Sequence, residues 1–402
     1  MFNLKVNTLI LLSFVLGTCE YVVIGILPNI AEDLNVAITQ AGLLISVFAF
    51  TYSICAIFLT AYLSRYPRKK VLVTLMVLFT IGNVICALTP NYTIMFLSRI
   101  FLAAVSSVLI ATSMSFAPDV APRRYTASVI SWIFAGFNIA SVVGVPLSMF
   151  ITQLTSWRAS FIFISIVSAV LLILMSKFLP NKSLPKAKGI GSQLILLKDS
   201  KILKAVAAMI LSASSAYCFY TYLTPIFTDK MLLPQSTIGI AFIVFGIAAI
   251  ISNLSSPLLL NLGGIRIVWI TFLLQAILSA LLSFTMDYTI LGGLTVFALG
   301  ILLYIFNTPI QLHFIKVSKK YYPGTVALAS ALTPSAYNIG IAIGSFAGSV
   351  TVDQFGLSYV GIAGAIFALL ATLISYDLAK QIKNIYHEAI QRAIEIKNIE
   401  NK

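Results

Sequence analysis

A carboxyl group lies well inside the first apolar stretch of the chain. Glu20 has only uncharged neighbours across residues 6–28, a run long enough to cross a bilayer as a helix. A charged residue near the bilayer centre costs about 2.5–3.5 kcal/mol on insertion scales, so such residues usually face a cavity and serve a function. Loss of water favours the neutral form of a carboxyl group. Glu20 is therefore our candidate for binding and releasing a proton. The alternative is a permanently protonated residue that is hydrogen-bonded to another helix.

A basic residue also lies inside an apolar stretch. Arg99 falls within residues 94–116, near the end of that stretch. Its long side chain can therefore point into the protein or reach the membrane surface. It can act with Glu20 in proton coupling, or it can extend to the membrane surface and serve structure alone.

Tyrosines and asparagines lie near the middle of several apolar stretches, where they combine a stacking face or an amide with hydrogen-bonding capacity. The candidates for the wall of a substrate site are Tyr21, Tyr52, Asn138, Tyr217, Tyr220, Asn307 and Asn338. Ordinary packing is the alternative for each, and hydrogen bonding between helices is the alternative for Asn138 and Asn338. Such a set suits a planar heterocycle or a sugar, and it does not choose between them.

Residues for catalysis or metal binding are scarce. The chain has two histidines and four cysteines; the cysteines all lie in apolar stretches and form no C-x-x-C pair. No phosphate-binding G-x-x-x-x-G-K-[ST] sequence occurs. We therefore expect no catalytic residue, no metal, no cofactor and no bound ATP, and an enzyme or receptor is the disfavoured alternative.

The elements that position these residues are membrane helices. With 59% hydrophobic and 9% charged residues and a mean hydropathy of +1.01, the chain is far more apolar than a soluble domain, in which about 25% of residues are charged. Runs of about 20 apolar residues recur, as helical spans require. The pattern predicts about twelve, at 6–28, 41–63, 71–89, 94–116, 127–152, 158–179, 203–227, 236–260, 266–286, 289–314, 325–351 and 358–378.

Charges between the spans predict the orientation. The loops after odd-numbered spans carry Glu32, Asp33, Arg158, Asp229, Lys230, Asp287 and Asp353. The loops after even-numbered spans carry Arg65, Arg68, Lys69, Lys70, Arg123, Arg124, the lysines of 182–204, Arg266, Lys316, Lys319 and Lys320. The positive-inside rule then places both termini in the cytoplasm. The net charge of +14 belongs to these short clusters, so we expect no nucleic acid partner.

The chain repeats itself in two halves. A shift of 197 positions places Pro28 on Pro225, and a shift of 200 places Asn138 on Asn338 and Gly144 on Gly344. The sequence therefore predicts two pseudo-symmetric six-helix bundles, with a substrate site where they meet. We expect an N-terminal bundle at 1–180, a cytoplasmic linker at 181–202, a C-terminal bundle at 203–378 and an amphipathic cytoplasmic tail at 379–402.

These residues resemble the major facilitator superfamily, and within it the twelve-span drug:proton antiporters, especially bacterial sugar-efflux and purine-efflux members. The matching segments are Glu20 to Pro28 with Asp33-Leu34, Ala41-Gly42, Arg99, Gly144-Val145-Pro146, Trp157-Arg158, Tyr220 to Pro225, and Asn338-Ile339-Gly340. The resemblance implies the major facilitator fold and a role for Gly144 and Pro146 in conformational change.

The loop between spans two and three departs from the family pattern G-x-L-x-D-R-x-G-R-[RK]. Ser64 stands at the Asp position and Pro67 at the Gly position. The basic residues that remain, and that we expect to take part in gating, are Arg65, Arg68, Lys69 and Lys70. We expect the loss of the Asp to remove the usual charge partner in this loop.

The sequence thus favours a proton-coupled carrier that exports a small molecule, such as a drug-like compound, a nucleobase, a nucleoside or a sugar. Proton-linked uptake is the main alternative. We expect its partners to be the substrate, protons and the lipid bilayer, and we expect a monomer in a bacterial inner membrane.

Overall fold

A computed structural model describes residues 3–63, 66–122, 125–180, 194–322 and 325–400. Within these ranges the structure is helical and has no β-strand. The first six long helices are α1 (Leu4–Asp33), α2 (Ile38–Leu63), α3 (Arg68–Leu88), α4 (Tyr92–Ser115), α5 (Thr126–Ile139, a π-helical turn Ala140–Gly144, and Val145–Leu154) and α6 (Trp157–Phe178). A single helical turn, Ala117–Val120, follows α4.

The second six follow a short 3₁₀ turn, Leu194–Lys198. They are α7 (Ser200–Tyr220, Leu223–Pro225 and a π-helical turn Ile226–Lys230), α8 (Gln235–Ser255 and Leu258–Leu262), α9 (Val268–Thr285), α10 (Thr289–Leu302 and Asn307–Tyr321), α11 (Val326–Phe355) and α12 (Val360–Glu400). Two further 3₁₀ turns, Gly264–Arg266 and Leu357–Tyr359, precede α9 and α12.

Eleven helical segments in the described part of the chain are long and apolar enough to cross a membrane. Helix α11, with 30 residues, is not among the eleven; it packs against α2 and α7 and is the twelfth long helix. Helices dominate because, in hydrocarbon, each backbone N–H and C=O must find its partner within its own segment. The chain is therefore an all-α, multi-pass membrane protein whose helices form two six-helix bundles, as the sequence predicts.

Prolines mark where the two repeat-related helices leave regular geometry. In α1 the backbone is non-helical at Ile26 (φ −112°, ψ 16°), two residues before Pro28. In α7 it is non-helical at Tyr222 (φ −106°, ψ 20°), three residues before Pro225. Proline has no N–H for the helix ladder and its ring clashes with the preceding turn, so both helices break at matching positions.

Glycines let helices approach closely at equivalent places in the two bundles. A Cβ on Gly144 of α5 would lie 2.6 Å from the Thr18 hydroxyl of α1, and a Cβ on Gly344 of α11 would overlap the Ser214 carbonyl of α7. Small residues at such crossings allow the backbones to approach, which is how membrane helices gain packing energy. The repeat relation between Gly144 and Gly344 is therefore visible in the packing.

The two bundles meet along one side of the molecule. We call this side the odd-loop face, because it carries the loops after odd-numbered helices (residues 34–37, 89–91, 155–156, 231–234, 286–288 and 356). Within the described chain, hydrogen bonds across the seam lie in the halves of the helices nearest this face. They join Ser46 to Ser345 (2.9 Å), Ser349 to the Thr39 carbonyl (2.8 Å), Thr224 to the Ile24 carbonyl (3.0 Å) and Gln153 to the Gln235 carbonyl (3.2 Å).

Candidate functional site

Glu20 lies in the middle of α1 and is 4% exposed. The residues around it on α1 are buried on all sides of the helix, so its side chain does not face lipid. Both carboxyl oxygens are buried and have no hydrogen-bond partner among the described residues. The alternative of a structural Glu20 that is hydrogen-bonded to another helix is therefore not seen in this part of the structure.

Arg99 extends from α4 into the bundle and is 0% exposed. Its two terminal nitrogens donate to the Cys19 carbonyl (2.7 Å) and the Glu20 carbonyl (3.0 Å) of α1. The guanidinium carbon lies 4.1 Å from the centre of the Phe48 ring, in cation–π contact. The alternative position at the membrane surface is wrong, because the side chain is buried against two carbonyl groups of α1 and the Phe48 ring of α2. Its Nε is buried and has no hydrogen-bond partner among the described residues.

Arg99 forms no ion pair with the Glu20 carboxylate in the described structure; it holds the backbone of the same residue instead. The two charges are still close enough to interact electrostatically. Two opposing effects therefore act on the carboxyl group. Burial favours its protonated form, and the nearby guanidinium favours its ionised form.

Tyr21 and Tyr52 are each 4% exposed and lie within electrostatic range of Glu20. Tyr21 packs edge-on against Phe137 of α5, with ring centres 5.9 Å apart. Phenol groups beside a carboxyl group offer hydroxyls that can donate a hydrogen bond once the carboxyl group ionises. These two predicted site residues are thus gathered around Glu20.

Four tyrosines of the C-terminal bundle form the tyrosine cluster: Tyr217 and Tyr220 of α7, Tyr304 between the two segments of α10, and Tyr337 of α11. The ring centres of Tyr217 lie 5.3 Å from Tyr220 and 6.0 Å from Tyr337, and those of Tyr304 and Tyr337 are 5.6 Å apart. Tyr220 stacks on Phe245 of α8 at 5.0 Å. All four tyrosines are at most 7% exposed.

Sequence reasoning identified Tyr217 and Tyr220 and missed the other two. The sequence positions of both missed tyrosines could have identified them. Tyr337 directly precedes Asn338 in the repeated segment, and Tyr304 lies one helical turn before Asn307.

The three asparagine candidates differ in what the structure shows of their side chains. Asn338 of α11 is 4% exposed and donates to the Pro334 carbonyl of its own helix (3.2 Å), while its side-chain oxygen has no partner among the described residues. The side-chain oxygen of Asn307 is likewise buried and unpartnered in the described structure. Asn138 lies on α5, but its side chain falls outside the described residues.

The Glu20 region and the tyrosine cluster lie near each other at the bundle seam. Tyr21 is within electrostatic range of Tyr220, Tyr304 and Tyr337, and Tyr337 is within range of Glu20. The described residues hold no group of three or more metal-ligating side chains. What the arrangement offers is one ionisable carboxyl group beside aromatic faces and hydroxyls, which suits proton exchange and ligand stacking.

Two cavities in the described structure lie away from this site. One, of about 330 Å³, is bounded by α2, α4 and α11 and includes Ser46, Phe50 and Phe346; the other, of about 430 Å³, lies between α7 and α12. Neither is lined by Glu20 or by the tyrosine cluster.

Two of the four loop residues expected to gate have partners within the N-terminal bundle. Arg68 pairs with Asp119 at 2.8 Å and donates to the Ser115 carbonyl, and Lys69 donates to the Leu179 carbonyl (2.8 Å). Asp119, which follows α4, thus gives Arg68 a charge partner from outside the loop.

Three further gating candidates differ in how the structure places them. Lys70 is exposed, Arg65 lies outside the described residues, and Pro146 follows the π-helical turn of α5.

Two bundles of six membrane helices, with a buried carboxyl group and a tyrosine cluster near their junction, form the architecture of a membrane transporter. The family model of the Major Facilitator Superfamily matches residues 9–327. The chain belongs to this superfamily, as its sequence motifs predict.

Curated relatives cover nearly the whole chain. An uncharacterized MFS-type transporter, YtbD of Bacillus subtilis, is 30% identical over 90% of this chain and 92% of its own length. A probable sugar efflux transporter of Pasteurella multocida is 26% identical over 92% of this chain and 91% of its own. The inner membrane transport protein YdhP of Escherichia coli is 26% identical over 92% of this chain and 94% of its own.

Solved structures share the fold. A bacterial homologue of the human lysosomal transporter Spinster, crystallised in an inward-facing and unoccupied conformation, has a TM-score of 0.77 at 15% identity and covers 94% of this chain and 98% of its own. The nucleoside transporter NupG has a TM-score of 0.72 at 17% identity and covers 95% of this chain and 100% of its own. At these identities the likeness concerns the fold alone.

Proposed function

We propose that this protein is a proton-coupled secondary transporter that exports a small molecule by alternating access. The observation that carries the proposal is the Glu20 carboxyl group, which is buried at the bundle junction without a hydrogen-bond partner among the described residues. A buried carboxyl group without an ion pair or hydrogen bond is costly to keep ionised. Such a group exchanges a proton whenever its surroundings change between open and closed conformations.

Substrate binding provides that change. When the substrate's polar groups and the Arg99 charge make the ionised carboxylate more favourable, the proton leaves Glu20. When the substrate departs, burial makes the protonated form more favourable and a proton binds. By linkage, the free energy with which the substrate favours proton release equals that with which the proton weakens substrate binding. Exchange of one species for the other follows.

The tyrosine cluster and the unpartnered oxygens of Asn307 and Asn338 support a substrate with a flat face and hydrogen-bonding groups. Nucleosides, nucleobases, sugars and drug-like aromatic compounds all fit this description. Relatives named sugar efflux transporters support both export and the sugar class. NupG, named a nucleoside transporter, carries nucleosides on the same fold.

The contacts across the seam support an assignment of the conformation. The bundles are joined near the odd-loop face. If the basic even-numbered loops are cytoplasmic, the closed side is external and this conformation opens toward the cytoplasm. Loading from the cytoplasm is what an exporter requires. We propose that the protein works as a monomer in a bacterial plasma membrane, with both termini cytoplasmic and with bundles at 1–180 and 203–378.

The test begins with purified protein and a thermal-stability screen of nucleosides, nucleobases, pentoses and cationic dyes at two pH values. A stabilising compound is then used in proteoliposomes under an imposed pH gradient. We expect Glu20→Gln to reduce gradient-driven transport to background while substrate exchange without a gradient persists. Glu32→Gln is the matched control, because Glu32 lies on the same helix and is exposed; it should transport like the wild type.

Gradient-driven transport by Glu20→Gln at the wild-type rate would refute the coupling role. The direction of gradient-driven substrate transport separates the two mechanisms. Substrate movement opposite to the proton flow indicates antiport, and substrate movement in the same direction as the proton flow indicates uptake by symport. Gly144 and Pro146, whose resemblance is to exporters, favour antiport.

A further inference from the structure

Pro28 leaves a backbone carbonyl of α1 without its helical partner. In an α-helix the carbonyl of residue 24 accepts from the N–H of residue 28, and a proline at 28 has no N–H to donate. The helix leaves regular geometry at Ile26, between these two residues. The Ile24 carbonyl lies in the buried part of α1, where a carbonyl without a donor carries a penalty.

The donor comes from the other bundle. The hydroxyl of Thr224, on α7, lies 3.0 Å from the Ile24 carbonyl and 3.4 Å from the Gly25 carbonyl. Thr224 is 4% exposed, so water does not compete freely for this contact. It sits at the break in α7 directly before Pro225. The proline break in each bundle thus contributes one half of a contact between the bundles.

The same short segment of α1 is also held by Arg99. That side chain donates to the carbonyls of Cys19 and Glu20, and Ile24 lies one turn further along the helix. The turn that carries Glu20 is therefore held at its start by a cation of its own bundle and at its end by a hydroxyl of the other bundle.

We propose that Thr224 and the Ile24 carbonyl form a latch that holds the two bundles together at the odd-loop face. Opening this face separates α1 from α7 and leaves the Ile24 carbonyl without a donor until water reaches it. The bond therefore favours the conformation closed on this side, and its loss shifts the balance toward opening. The inference rests on the bundle movement of the proposed function but not on Glu20 as the coupling group.

The experiment measures the distance between the bundles directly. Spin labels are placed at Thr93→Cys and Tyr288→Cys, which are exposed residues on the odd-loop face of the two bundles. The four natural cysteines are replaced by alanine, and distances are recorded by pulsed electron paramagnetic resonance in nanodiscs. Removing one hydrogen bond with Thr224→Val should raise the ratio of the long-distance to the short-distance population roughly three- to tenfold.

Three variants make the result specific. Thr224→Ser keeps the hydroxyl and should retain the wild-type distribution. Thr228→Val removes a hydroxyl one turn later whose hydrogen bonds in the described structure stay within α7, and it should also leave the distribution unchanged. In a Pro28→Ala background, which restores a helical donor to Ile24, Thr224→Val should have a smaller effect than in the wild type.

Equal distributions for Thr224→Val and Thr224→Ser would overturn the latch. If Thr224→Val fails to fold, an unchanged distribution in Pro28→Ala would overturn it as well. Failure of the proposed function looks different: no variant, pH or stabilising compound would alter the distance between the labels.

Discussion

At Arg99 the guanidinium group binds the backbone of α1 and does not form an ion pair with the Glu20 carboxylate in the described structure. The guanidinium group contacts the Cys19 and Glu20 carbonyls and the Phe48 ring, and the Glu20 carboxyl group has no ion pair or hydrogen bond in the described structure. A direct buried salt bridge would hold both charges in place, because removing either partner leaves an uncompensated charge. The cation thus holds the backbone of the helix turn that bears the acid and forms no ion pair with the acid's carboxylate in the described structure.

The structure predicts that Arg99→Lys lowers stability. A lysine ammonium is a compact point charge and lacks the planar fork that reaches two carbonyls at once. We expect a loss of about 1.5–3 kcal/mol, the range for a hydrogen bond to a charged group, and a lower Tm in detergent. Lys319→Gln, at an exposed position, is the control and should melt like the wild type. An unchanged Tm for Arg99→Lys would show that the carbonyl contacts contribute nothing.

At the scale of the helices, the two bundles use the same crossing. Helix α5 packs on α1 through Gly144, and α11 packs on α7 through Gly344. The helices that cross here are also the ones broken by Pro28 and Pro225. Close crossings inside each bundle, together with proline breaks on the part of α1 and α7 nearest the seam contacts, suit the proposed movement of whole bundles.

Gly344→Ala tests the crossing. Its Cβ would overlap the Ser214 backbone carbonyl, and a backbone atom cannot move aside as a flexible side chain can. We expect destabilisation of about 1–3 kcal/mol, as for overpacking elsewhere, seen as a lower Tm. Gly293→Ala in α10 is matched, since a Cβ there has no atom within 4 Å. It should be neutral or slightly stabilising because alanine favours helix. Equal melting of the two variants would contradict the packing account.

At the scale of the molecule, the basic residues of the even-numbered loops combine two roles. Their number predicts orientation, and some also hold helix ends together: Arg68 pairs with Asp119, and Lys69 binds the carbonyl of Leu179. On the odd-loop face Arg158 pairs with Asp33 and donates to the Thr89 carbonyl (3.0 Å). Each face of the N-terminal bundle therefore has an ion pair between its own helices or loops, which suits the proposed movement of the bundle as one body.

The orientation is tested with single cysteines in a cysteine-free background. An impermeant thiol reagent applied to intact cells should modify Thr93→Cys, on the odd-loop face, and should leave Lys70→Cys unmodified until the membrane is permeabilised. Both side chains are exposed, so accessibility to solvent does not distinguish them. The reverse pattern would place the termini outside and would turn the proposed cytoplasmic opening into an external one.

The local sequence alone determines much of this architecture. Apolar runs of about 20 residues determine membrane helices because hydrocarbon forces each segment to satisfy its own backbone. Glu20 and Arg99 stand out in such runs because burying a charge is costly wherever the helix packs. The repeat of Pro28 at Pro225 and of Gly144 at Gly344 likewise needs no knowledge of the packing, since it follows from the duplication itself.

The contacts between distant segments of the chain could be identified only from the tertiary structure. The choice of Asp119 by Arg68, of the α1 carbonyls by Arg99, and of the Ile24 carbonyl by Thr224 depends on how helices cross. So does the joining of Tyr304 and Tyr337 to the tyrosine cluster. A sequence reveals which groups need a partner. Hydrogen bonds and ring contacts act over a few ångströms, so only the packing of the helices decides which partner each group meets.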